Sequence, residues 1–389
     1  MRVVYYTTPA YLDCDLPYLK EQNKNIPDLY TIINIPPYFL RSTLINISEQ
    51  YSTPGIYKAS IYKELVYFKD YLNLEKTFVV NRTSKKSLAF SNLILDIKIF
   101  FLFIKLKPDV IHSSSFYDFQ NLLLYYFRKK TFLTVHDPFP HTGEDGFRVK
   151  FFSGLSYKLL DNFFILNEKQ KSQFITTYKL EKKNVYESKL GVYTVYNLYV
   201  SEQLKKTTCN YILFFGRISP YKGVNILLDA MKNVHETFPE IKLIVAGNGK
   251  YYFDKTEFEK LDYIEFRNRY IPNDELVNLI KDALFIVCPY TDATQSGVIM
   301  TSYAFCKPVI ATNVGGLSDM VTDHITGLLI QTGNVIELQK AIAYLLVNQQ
   351  LLNEMKQNIF KQFFQGDNTW ISITANVLAV YKQMIKCKI

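Results

Sequence analysis

Short apolar runs rich in β-branched residues alternate with segments of helical spacing along the chain, and they form two series. The first opens with "RVVYY" and continues through the runs within "KPDVIHSSS", "TFLTVHD" and "NFFILN", each ending in polar residues. Between Tyr199 and Thr208 the pattern weakens into "YVSEQLKKTT", which reads as a linker. The second series begins at "YILFFG". After it, Val224, Leu227, Leu228, Met231 and Val234 repeat on one face of a 3.6-residue period. "IKLIVAG", "IEFRNRY", "FIVCPY" and "KPVIAT" follow as strands with helices between most of them, and "TWISITANVLAVYKQMIK" reads as a closing helix. Strands alternating with helices predict parallel sheets with crossover helices. The expected units are residues 1–200, residues 201–368 and a terminal helix in 369–389. Two such α/β domains in tandem are expected to leave a cleft at the carboxyl ends of their strands, where ligands bind in this architecture.

At 389 residues the chain has the length for two domains, each with its own core. A hydrophobic content of 48% with 21% charged residues fits globular domains rather than disorder. The most apolar window, Leu88 to Lys107, is broken by Asp96 and Lys98, so an amphipathic or core helix is expected there instead of a membrane span. Five cysteines without CxxC spacing fit a reducing cytosol and argue against structural zinc. The net charge of +9 allows a nucleic acid, an anionic lipid or a phosphorylated ligand. The basic residues are dispersed and form no nucleic-acid motif, which disfavours the first.

The loops carry the candidate chemistry. In "FFGRISPYKG", Gly216 permits a tight turn, and Arg217 and Lys222 sit five residues apart before a helix start. A planar donor fork beside a mobile point charge suits adjacent phosphates. The bland reading of any isolated Arg-Lys pair is a solvated loop; the strand–Gly–Arg–Lys–Gly–helix context favours the phosphates. In "ATQSGVIMTSYAFC", Ser296 and Gly297 stand at an expected helix N-terminus, where free N–H groups and the helix dipole attract anions. "TNVGGLSDMV" repeats the arrangement with Gly315 and Gly316. "AGNGKYY" matches only two glycines of a dinucleotide fingerprint, since Tyr252 takes the third place, and no nicotinamide site is expected. His136 ends a strand and is expected to face substrate. His112 is a second strand-end candidate with a structural role slightly favoured, while His235 and His324 read as surface residues. His136, His141 and Asp137 lack a metal-binding spacing, so no metal site is expected. Asp13 and Asp15 have an Asp-x-Asp spacing, but in an expected loop of the first domain, away from the phosphate loops.

With "GRISPYKG", "LIVAGNG", "YIPNDELVNLIKDALFIVCPY" and "KPVIATNVGGLSDMVTDHITGLLI" in order, residues 211–330 closely resemble the family-4 retaining glycosyltransferases of the GT-B fold. The first half resembles them loosely. The resemblance implies an N-terminal acceptor-binding domain, a C-terminal nucleotide-sugar-binding domain and a final helix crossing back to the first. It implies that Arg217 and Lys222 hold a nucleotide diphosphate and that the base packs near Arg269, Tyr270 and Ile271. His136 would lie close to the donor sugar. The family's paired glutamates fall at Ala293 and Thr301, so this chain is a variant in which Thr301 offers the ribose one hydroxyl at most.

The implied function is transfer of a sugar, with retention, from a nucleotide-diphosphate sugar to a glycan or lipid-linked acceptor in bacterial surface polysaccharide synthesis. No cofactor and no metal are expected, because cations and a helix N-terminus supply the charge. The expected location is the cytoplasm or the inner face of the cell membrane, with Leu88–Lys107 as a candidate surface for anionic lipid. A GT-B partner subunit or nucleotide-sugar binding protein without catalysis is the alternative, since the glutamates are missing.

Overall fold

The computed structural model describes residues 1–37, 42, 44–47, 53–86, 88–114, 119–139, 147–200 and 210–386. His141, Cys209, Cys387 and the linker stretch 201–208 lie outside them. The chain divides into two compact units, residues 1–191 with 370–389, and residues 192–369. Residues 192–200 therefore group with the second unit, whereas the fading of the sequence pattern placed the boundary after them. Val195 and Tyr196 explain the grouping: both are buried within a short turn, Thr194–Tyr199, and the N–H of neighbouring Tyr193 donates to Met300 O.

The first unit holds one eight-stranded sheet in the order β3-β4-β2-β1-β5-β6-β7-β8. Its strands are β1 (Arg2–Thr7), β2 (Asp28–Ile35), β3 (Gly55–Lys58), β4 (Thr77–Asn81), β5 (Val110–Ser113), β6 (Thr131–Val135), β7 (Asn162–Ile165) and β8 (Asn184–Glu187). All pairs are parallel except β3 on β4. The four strands expected from the sequence are β1, β5, β6 and β7, so half of the sheet was not anticipated. Among the described residues the α-helices of this stretch are α1 (Leu12–Asn25), α2 (Lys63–Val66), α3 (Phe90–Leu106), α4 (Phe147–Leu159) and α5 (Glu168–Tyr178). Helices on the faces of a parallel sheet bury its strands on both sides, and "RVVYYT" and "TFLTV" are continuous apolar runs for that reason.

Where a loop was expected after β1, the chain makes a turn at Pro9–Tyr11 and enters α1 directly. Pro17 lies inside this helix; proline removes one backbone hydrogen bond, and burial of Leu12, Leu16 and Leu19 offsets that loss.

The second unit holds a wholly parallel six-stranded sheet in the order β11-β10-β9-β12-β13-β14. These are β9 (Tyr211–Phe215), β10 (Lys242–Ala246), β11 (Ile264–Arg267), β12 (Ile286–Cys288), β13 (Val309–Thr312) and β14 (Gly327–Ile330). The helices are α6 (Val224–Thr237), α7 (Asn273–Asp282), α8 (Gly297–Ala304), α9 (Leu317–Met320), α10 (Val335–Val347) and α11 (Gln349–Phe360). The five periodic positions of α6, Val224 to Val234, are all buried. Because the chain runs outward from β9 to β11 and then returns to β12 on the other side, the connections reverse between β9 and β12. That is the place where open α/β sheets bind ligands.

The terminal helix α12 (Trp370–Lys386) belongs to the first unit. It lies on α1, where Gln22 Nε2 donates to Thr374 O at 3.3 Å and the Tyr18 and Tyr381 hydroxyls are 3.1 Å apart. Among the described residues no helix is long and apolar enough to cross a membrane.

Candidate nucleotide site

Two loops of the second unit meet at its switch point. The first follows β9. Gly216 ends the strand, Arg217 is exposed, and Pro220–Lys222 forms a single turn before α6. Gly223 closes the turn at φ +66, and a Cβ there would fall 1.9 Å from Pro289 O, so glycine is required on two counts. The second loop follows β12. Thr291 N donates to Tyr221 O at 2.8 Å, which ties the two loops together.

Two tyrosines then organise the cations. Arg217 Nη2 donates to the Tyr221 hydroxyl at 3.3 Å, and Lys222 Nζ lies 3.7 Å from the centre of the Tyr290 ring and 4.9 Å from that of Tyr221. Tyr290 is fully buried. A cation over a desolvated aromatic face is held by about 2 kcal/mol, which fixes a side chain that would otherwise sample many rotamers. The Lys222 charge also reaches Cys288, opposing the burial that pushes this thiol up to about 12.

The start of α8 completes the site. Ser296 is the N-cap, its oxygen accepting from Ile299 N at 3.4 Å, and its hydroxyl is 3.4 Å from that of Tyr290. The N–H groups of Gly297 and Val298 precede the first helical acceptor, as at every helix start. Gly216 packs beside this turn, where a Cβ would meet Val298 Cγ2 at 3.3 Å. Gly216, Arg217, Lys222, Ser296 and Gly297 therefore surround one region. Tyr221 and Tyr290 belong to it as well, although no role was expected for either. A lysine six residues after a strand-end glycine, with an aromatic following a neighbouring strand, is the signal that could have found them.

Other expected residues fall differently. Tyr270 is 59% exposed on the loop after β11, whereas Ile271 is buried. Thr301 is buried, and its hydroxyl donates to Gly297 O at 2.8 Å, inside its own helix. Gly315 and Gly316 do not form a second anion site: Gly316 N donates to Ala293 O at 3.2 Å, and α9 is only four residues long.

In the first unit, His136 follows β6 and is 9% exposed, stacked on Tyr11 with ring centres 4.3 Å apart. Its Nε2 is buried without a hydrogen-bond partner. Burial pulls its pKa below the usual histidine range, against the opposing pull of Asp15. The residue lines a pocket with Tyr5, Asp15, His112 and Trp370. His112 is a neutral core histidine: Nε2 pairs with Thr134 Oγ1 at 2.6 Å, Nδ1 with the Tyr381 hydroxyl, and burial pushes it down to about 3. Asp15 sits inside α1 rather than on a loop. It accepts from the hydroxyls of Tyr5, Thr7 and Ser114, so it is not an open acceptor contact. Cys14, Asp15 and His136 bring their ligating atoms within 4.8 Å of one another. As a metal site the set fits poorly, because the Asp15 oxygens are already bonded and burial holds Cys14 as a thiol that donates to Tyr11 O at 3.1 Å.

Residues 198–362 match the family model described as glycosyl transferases group 1. An uncharacterised glycosyltransferase of Methanocaldococcus jannaschii is 34% identical over 178 residues, 45% of this chain and 48% of that protein. The chain thus spans about half the length of the curated relative it matches. Among solved structures, a glycosyltransferase from Rickettsia africae ESF-5 is similar over 99% of both chains at 16% identity, with a TM-score of 0.66. Anabaena HepE, solved in complex with UDP, is similar over 98% of this chain and 100% of its own at 15% identity, with a TM-score of 0.64. The fold is GT-B, two parallel-sheet α/β domains, as these neighbours and the two sheets agree.

Proposed function

We propose that the chain is a retaining glycosyltransferase that takes a nucleotide-diphosphate sugar as donor and a glycan or lipid-linked glycan as acceptor, in the cytoplasm, for surface polysaccharide synthesis. The observation that carries this reading is the meeting of Arg217, the ring-held Lys222 and the capped start of α8 at the switch point of the second sheet. A diphosphate bridging them takes hydrogen bonds from the guanidinium and from the N–H groups of Gly297 and Val298, while Lys222 contributes a fixed charge. As the bond from the anomeric carbon to the diphosphate oxygen breaks, negative charge grows on the departing phosphate, and these groups stabilise it there. On this reading transfer needs no metal. The nucleotide base lies against Tyr270.

Arg217→Ala and Lys222→Ala should each slow transfer by roughly 10²–10³-fold, the scale for one lost preorganised donor. Arg217 is exposed, so its variant should unfold thermally like wild type, whereas Lys222→Ala should also lose the Tyr290 ring contact, about 2 kcal/mol of stability. Calorimetric titration of UDP, the nucleotide bound in the Anabaena structure, is the first assay, and a panel of nucleotide sugars scored for slow hydrolysis is the second. Wild-type affinity and turnover in both variants would refute the reading. A binder without catalysis is favoured by one feature: neither Ala293 nor Thr301 offers a free polar group, both being buried and Thr301 bonded within α8. Nucleotide binding with no donor turnover across the panel would establish that alternative.

A further inference from the structure

The outer face of α3 is apolar. Towards the sheet the helix buries Leu95, Ile99, Phe103 and Leu106, the ordinary inner face of a crossover helix. Asp96, the one acidic residue between Ser84 and Lys107, also points inward and forms a buried ion pair with Arg82 at 2.5 Å. Outward stand Phe90, Leu93, Ile94, Ile97, Phe101 and Ile104, with Phe90 79% exposed and Phe101 62% exposed. At 100° per residue these six fall within a stripe of roughly 100°, the width of a buried face. The stripe continues sideways through Phe100 onto Tyr126, which is 70% exposed and has its ring 5.5 Å from that of Phe100. Lys98 and Lys105 run along one edge of the stripe, and exposed Lys85, Lys86, Lys107 and Arg128 lie near its ends.

We propose that this face docks the protein peripherally on an anionic phospholipid surface, with α3 lying in the plane of the interface. Apolar and aromatic side chains flanked by long cations match the interfacial layer of a bilayer, where rings sit at head-group depth and lysines reach the phosphates. Charge selects this occupant over a second copy of the chain. Two copies meeting face to face would oppose lysine to lysine, and no exposed acidic residue among those described lies between Ser84 and Lys107 to relieve them. The inference does not depend on the donor site, which lies in the other unit.

The test is flotation of the full chain with phosphatidylcholine vesicles and with vesicles that also contain phosphatidylglycerol. Binding should favour the anionic vesicles and weaken as salt rises. Lys98→Ala with Lys105→Ala should weaken binding by about 25-fold, at roughly fivefold for each cation near the surface. Phe101→Ser should weaken it on both vesicle types. All three positions are exposed, so the melting temperature and UDP affinity should stay unchanged; if Phe101→Ser proves unstable, the lysine pair carries the test. The proposal is overturned if anionic vesicles bind no better than neutral ones, or if the variants bind like wild type. It is also overturned if sedimentation finds a dimer that Phe101→Ser takes apart.

Discussion

Gly223→Ala separates the geometry of the loop proposed to hold the diphosphate from the charge it carries. The new methyl group would lie 1.9 Å from Pro289 O, where ordinary contact begins at 3.4 Å. Neither side yields easily. Pro289 directly follows the buried strand β12, and α6 begins at the next residue with Val224, Leu227, Leu228 and Met231 fully buried. The part able to move is the turn Pro220–Lys222. The positive φ of +66 adds a separate cost of about 1–2 kcal/mol for any residue with a Cβ. A total near 3 kcal/mol is expected, and a shift of about an ångström in Lys222 would lower transfer by up to 10²-fold. Gly333→Ala is the internal control, since its φ is +73 but nothing lies within 4 Å of its added Cβ. It should lose only the conformational cost and keep its nucleotide affinity. Urea denaturation and UDP titration of the two variants decide the matter. Equal losses of stability with equal UDP affinity would refute the claim that the Pro289 contact fixes the turn.

Two other predictions follow from Thr301 and from the opposed titrations of His112 and Asp13. Thr301→Val should leave UDP affinity within about twofold and cost about 1 kcal/mol of stability, because the hydroxyl serves Gly297 O; a tenfold loss of affinity would return Thr301 to the ribose. His112, pushed down to about 3 from 6.5, costs stability as pH falls from 6.5 towards 3, whereas Asp13, pushed up to about 7 from 3.8, costs stability as pH rises from 3.8 to 7. Between these limits the two slopes oppose each other at about 1.4 kcal/mol per pH unit each, so Asp13→Asn should become markedly less stable from about pH 6.5 to 5 where wild type changes little. Urea midpoints with the same pH dependence in both proteins would refute the opposition.

How far the fold can be read from the sequence depends on how each strand is covered. The strands of the second unit lie under helices on both faces, so "YILFF" and "VIAT" are buried throughout, and their order along the chain maps directly onto a parallel sheet. In the first unit the edges leave less trace. β8 is "NVYE", with neither end buried, and β3 is four residues ending in an exposed lysine, placed by antiparallel pairing with β4. Period and length cannot distinguish such segments from loops. β2 and β4 are another matter, since "TIINI" and "TFVVN" have the composition of β1 and satisfy the same criterion.

The candidate site divides along a similar line. Gly216, Arg217, Lys222 and Ser296 were legible because each answers a local constraint: a tight turn, a charge near a helix start, a capping hydroxyl. Tyr290 answers to Lys222, 68 residues earlier, and spacing within one segment carries no record of that contact. Thr301 shows the converse limit. Position in a motif says where its Cα lies, while its hydroxyl follows the helix, where a carbonyl four residues back is the nearest acceptor. Asp15 shows it again. An Asp-x-Asp on an assumed loop suggested an open carboxylate, but the helix that begins at Leu12 turns Asp15 inward to three hydroxyls. The charge proposed to act on a diphosphate therefore comes from Arg217, Lys222 and the start of α8.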